Sequence, residues 1–100
     1  SNMDMDFVAE LEKARVISGV PFVINSGYRC PSHNASVGGK PTSAHLSGKA
    51  VDISSMGSLS RFKIISSSIQ AGFSRIGIGR TFVHIDSDDT KPSSVIWDYY

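Results

Sequence analysis

The sequence predicts a small single-domain α+β protein with a central antiparallel sheet and two main helices. Three observations lead there. A chain of 100 residues, 40% hydrophobic and 19% charged, suits one modest core and leaves no room for a second. Two stretches repeat apolar residues at helical spacing, while several shorter ones gather β-branched and aromatic residues between turn formers. Their order is helix, strand, long loop, strand, helix, then two or three strands, which keeps the strands close enough to pair as antiparallel neighbours.

The first helix is expected over residues 6–18, where Phe7, Val8, Leu11, Ala14 and Ile17 recur at steps of three and four; Gly19 ends it. Pro21-Phe22-Val23-Ile24-Asn25 reads as a short buried strand. Residues 26–49 are rich in Gly, Ser, Pro and Asn and show no period, and a loop of that length in a compact domain is more often functional than idle. Residues 50–53 read as a strand. A second helix follows, with Ser58 as its N-cap, Phe62, Ile65 and Ile69 as its apolar face, and Gly72 as its end. Residues 73–79 and 81–86 read as strands meeting at a tight turn near Gly79-Arg80, and residues 95–99 as a last strand. Ser1 and Asn2 before Met3 read as an expression scar, so the domain is taken as residues 3–100.

Composition narrows the partners. A net charge of +1 with scattered basic residues argues against nucleic acid, which calls for Lys and Arg gathered on one face. Apolar runs fall far short of the roughly 20 residues that span a bilayer, so no membrane insertion is expected. A monomer is expected. The acidic Asp4 and Asp6 stand where a secretory leader carries basic residues, so this stretch does not read as an export signal, and localisation stays open. Cys30 is the single cysteine, so no internal disulfide supports the fold.

Two strands share an unusual polarity. In Ala50-Val51-Asp52-Ile53, alternation sends Val51 and Ile53 to one face and Asp52 to the other; in Phe82-Val83-His84-Ile85-Asp86, it separates Val83 and Ile85 from His84 and Asp86. If the two strands are neighbours, Asp52 and His84 meet. Gly48 lets the chain return sharply, so that His45 can fold back beside Asp52. Two imidazoles and a carboxylate would then form a three-ligand zinc set, which leaves a fourth position for water. On spacing alone, the same residues also read as surface or hydrogen-bonded side chains.

Ser26-Gly27-Tyr28-Arg29, Asn34, Val37-Gly38-Gly39, Ser43-Ala44-His45-Leu46-Ser47-Gly48-Lys49-Ala50-Val51-Asp52 and Phe82-Val83-His84-Ile85-Asp86 together resemble the D-Ala-D-Ala carboxypeptidase family of zinc metallopeptidases. The resemblance runs in order over most of the chain, and the pattern Ser-x-His-x-x-Gly-x-Ala-x-Asp is complete. It implies a hedgehog / D-Ala-D-Ala peptidase-like fold, one zinc per chain on His45, Asp52 and His84, and peptidoglycan stem peptides as partner. The implied activity is hydrolysis of peptide bonds in the bacterial wall, as a carboxypeptidase, or as an endopeptidase such as a phage endolysin. Arg29 is then the residue to hold a substrate carboxylate or the carbonyl of the attacked bond, and Tyr28 and Ser43 are supporting hydrogen-bond donors.

The sequence departs from the family at the general base. Many relatives carry Glu or Asp three residues before the last histidine ligand, where this chain has Thr81, and others carry a histidine two before it, where this chain has Phe82. Asp86 is the replacement candidate, on the same strand face as His84 and about 7 Å along it. The alternative is that Asp86 orients a ligand imidazole. The departure also keeps open a binding or structural module that holds zinc without catalysis. Trp97, Tyr99 and Tyr100 are candidates for a wall of the cleft, with core packing the competing use of Trp97.

Overall fold

A computed structural model describes residues 4–26 and 48–99 of the chain. Helix α1 (Met5–Ser18) begins where Asp4 accepts a hydrogen bond from the Phe7 N–H at 2.9 Å, satisfying one of the unpaired donors of the first turn. Its inward stripe is narrower than expected. Phe7 and Ala14 are buried and Leu11 packs against the core, but Val8 and Ile17 face outward.

Among the described residues, strand β1 (Ile24–Ser26) pairs only with β2 (Ala50–Ser54). The buried strand expected at residues 21–25 starts later and, among the described residues, lies at the edge of the sheet: Val23 and Ile24 are exposed, and only Phe22 of that run leans on the core. An edge strand has one neighbour and is covered less, so a short apolar run did not signify burial here.

Helix α2 (Ser58–Ala71) starts one residue earlier than expected, with Gly57 rather than Ser58 as N-cap, and Gly72 closes it as expected. Its buried face also differs from the expected one. Ile64, Ser67, Ser68 and Ala71 turn inward, Ile65 is partly buried, and Phe62 and Ile69 are exposed. Two serines can sit inside because their hydroxyls donate to the Ile64 carbonyl, at 3.1 Å from Ser67 and 2.6 Å from Ser68.

Strands β3 (Arg75–Ile78) and β4 (Phe82–Asp86) form the expected hairpin, tied by the Gly79 N–H to the Phe82 carbonyl at 2.9 Å. Strand β5 (Val95–Asp98) completes a sheet of order β1-β2-β4-β3-β5. The pairs β1·β2, β2·β4 and β3·β4 are antiparallel, as expected for the centre, and β5 adds parallel to β3, making the sheet mixed. The reason lies in the connection: the chain leaves β4 beside Arg75 and re-enters in β5 beside Arg75, so residues 87–94 pass over the end of β3.

One face of the sheet carries Val51, Ile53, Ile76, Val83 and Ile85 into a common core with Phe7, Ala14, Ile64, Ala71 and Phe73. Phe7 and Phe73 meet edge to face, with centroids 5.5 Å apart. Both helices lie on this side. The polar residues of the same strands therefore share the opposite face.

Candidate metal centre

Strand pairing brings the site together. Asp52 of β2 stands directly opposite His84 of β4 in the antiparallel register, one strand spacing away. Gly48, at φ 74°, turns the chain into β2 in a backbone conformation that side chains disfavour.

His84 is held from both ends. Its Nδ1 lies 2.9 Å from Asp52 Oδ1 and its Nε2 lies 2.7 Å from Asp86 Oδ2. Asp86 is nearly inaccessible, and its other oxygen, Oδ1, accepts from Arg75 Nε at 2.6 Å and from the Asp88 N–H at 3.1 Å. Burial alone would lower the imidazole pKa, but the hydrogen bonds and charges of Asp52 and Asp86 outweigh it and hold His84 above the ordinary histidine value. Burial would likewise raise the Asp86 carboxyl, yet the His84 hydrogen bond, the Asp88 N–H, the His84 charge and the Arg75 hydrogen bond together hold it below the usual carboxylate range.

Gly77 of β3 faces His84 across one strand gap and Trp97 of β5 across the other. A Cβ there would lie 2.8 Å from the Trp97 and Tyr99 rings, so glycine is what allows both aromatics to lie across the sheet toward the imidazole. The Trp97 and Tyr99 rings sit 5.6 and 6.3 Å from that of His84. Trp97 is thus on the site face rather than in the helix-side core. Arg75 stacks on the indole at 5.0 Å from its centroid.

The chemistry of the Asp52–His84 pair suits zinc, which takes imidazole nitrogen and carboxylate oxygen together. The two donor atoms lie 2.9 Å apart on the same side of the imidazole, where both would face one bound ion. Among the described residues, no three His, Cys, Asp or Glu side chains are grouped to hold a metal. Asp52 and Asp86 sit on opposite nitrogens of one ring, so among the described residues the Asp52 side gathers two such donors, Asp52 and His84. His45, the residue expected as the third, lies outside the described residues, as do Tyr28, Arg29 and Ser43.

No local motif in the sequence marks Arg75 or Gly77 as a site residue. Period two in Arg75-Ile76-Gly77-Ile78 does put both opposite the apolar face, but that they flank the site depends on the register of β3 against β4. No helix among the described residues is long and apolar enough to cross a membrane. A family model described as Peptidase M15 matches residues 2–86, which reaches from before α1 to the last residue of β4 and leaves β5 outside. No curated protein matches the chain.

Proposed function

Because the chain belongs to the peptidase M15 family, we propose that it is a zinc peptidase that hydrolyses peptide bonds in bacterial peptidoglycan, with its metal on His45, Asp52 and His84. The observation that carries this reading is the facing pair of Asp52 and His84, with a buried carboxylate on the far nitrogen of the imidazole. Carboxylate, histidine and metal in line is the arrangement that fixes a ligand imidazole's tautomer and orientation.

Bound zinc supplies two things to hydrolysis: it makes water acidic near neutral pH and it polarises the scissile carbonyl. The residues do the rest. Asp52 presents a carboxylate oxygen, and His84 presents Nδ1 when its hydrogen stays on Nε2, where Asp86 accepts it. Trp97 and Tyr99 form a wall beside His84 against which a stem peptide can lie, excluding water from one side of the bond. Arg29 is the proposed anchor for a substrate carboxylate or carbonyl, with Tyr28 and Ser43 as further donors. With both Asp86 oxygens occupied and its side chain only 3% exposed, the geometry favours Asp86 as the residue that orients His84 over Asp86 as a mobile proton carrier.

That last feature also supports a second reading, a zinc-holding module that binds peptidoglycan without cutting it. Thr81 and Phe82 occupy the family's usual base positions, and Asp86 is committed elsewhere. Digestion of purified peptidoglycan, followed by mass spectrometry of the fragments, separates the two. The peptidase reading expects new amino groups on stem peptides or cross-links, abolished by a chelator and restored by zinc. Metal-loaded protein that sediments with the wall but releases no fragment across several wall chemotypes overturns it in favour of the binding module. The fragments also distinguish release of a terminal D-Ala from cleavage at an internal bond.

A further inference from the structure

Arg75 occupies a position of high cost. Its side chain is only 12% exposed, and covering a cation this far carries a desolvation penalty that a well-packed apolar residue would avoid. Three contacts hold it there. Nε donates to Asp86 Oδ1 at 2.6 Å, Nη1 donates to the Pro92 carbonyl, and the guanidinium plane lies over Trp97.

Their effect falls on one atom of His84. With Arg75 Nε and the Asp88 N–H both directed at Oδ1, that oxygen is fully engaged and the carboxylate cannot rotate freely. Its other oxygen, Oδ2, is left on His84 Nε2 at 2.7 Å. An acceptor fixed at Nε2 keeps the hydrogen of a neutral imidazole there and leaves the Nδ1 lone pair on the Asp52 side.

We propose that Arg75 is a positioning residue of the metal centre: by clamping the Asp86 carboxylate it sets the tautomer and ring orientation with which His84 offers Nδ1 to zinc. The inference rests on the zinc reading above. The stack on Trp97 has a second consequence, since it ties the aromatic wall of β5 to the same clamp, beyond the stretch the family model matches.

The test measures zinc affinity by competition with a chelating dye for wild type, Arg75→Met, Arg75→Lys, Asp86→Asn and the Arg75→Met/Asp86→Asn double variant. It also records the imidazole N–H of His84 in the zinc-loaded, nitrogen-15-labelled protein. Loss of an outer partner of a ligand histidine typically weakens metal binding by about 10- to 100-fold. Arg75→Met is expected at the lower end of that range, with the slowly exchanging Nε2–H signal lost. Arg75→Lys keeps the charge without the flat fork and falls between it and wild type. The double variant should bind no more weakly than Asp86→Asn alone, because Arg75 acts through Asp86. Wild-type affinity and an unchanged N–H signal in Arg75→Met overturn the inference, as do losses that simply add in the double variant. If Arg75→Met does not fold, Arg75→Lys decides the matter on the same two readouts. A wild type that takes up no zinc removes the metal reading and this inference together; a zinc-binding wild type with an indifferent Arg75 removes this inference alone.

Discussion

His84 has a carboxylate on each ring nitrogen, and without metal both contacts are best satisfied when the ring is protonated. Its pKa is raised above the unfolded value, so the stabilisation is fully present below about pH 6.5 and is lost as pH rises through the folded value. Zinc-free protein is therefore expected to melt at progressively lower temperature as pH is raised above about 6.5, and His84→Gln should lose that dependence. A zinc-free wild type whose melting temperature climbs through the same range would contradict the paired-carboxylate account of His84. At this scale, the facing of Asp52 and His84 was legible, because period two alone assigns both to the non-core face. The clamp was not. Asp86 could be placed on the right face, but which of its oxygens meets which donor depends on Arg75, a residue eleven positions away in sequence that the hairpin register makes a neighbour.

Among the elements, α2 shows most clearly what hydrophobic spacing conveys and what it does not. The helix and its closing glycine were readable, yet the expected face, Phe62, Ile65 and Ile69, is largely the wrong one: Phe62 is 68% exposed and Ile64 is 1% exposed. The inward face carries Ser67 and Ser68, whose polarity hides it from a hydrophobic count although their hydroxyls are satisfied within the helix. Ile64→Ala is accordingly expected to destabilise by about 2–5 kcal/mol, the usual cost of an emptied core site. Phe62→Ser should change stability by no more than about 0.5 kcal/mol. Denaturant titration of both variants checks this, and a larger loss in Phe62→Ser than in Ile64→Ala would reverse the assignment of the face. Strand β1 carries the same lesson, since a β-branched run between turn formers marks a strand without saying whether it is central or at the edge.

For the whole molecule, the division of labour is between the two faces of one sheet. Helices α1 and α2 cover one face with the apolar half of each strand, and the other half of the same strands carries Asp52, His84, Asp86, Arg75 and Gly77. The α+β class was legible because the strand and helix signals came in the right order. The parallel addition of β5 was not, because it depends on residues 87–94 crossing the end of β3, and no local pattern encodes a crossing. That addition sets Trp97 and Tyr99 beside His84 and gives the site a wall. Completed by His45, this face is proposed to hold zinc. Calorimetric titration of zinc into metal-free protein, with helix content checked by circular dichroism, tests it most directly. One zinc per chain is expected in wild type, with loss of that binding in His45→Ala, Asp52→Ala and His84→Ala while each remains folded. Folded wild type that takes up no zinc, or an Asp52→Ala or His84→Ala variant that binds it as tightly as wild type, would contradict it.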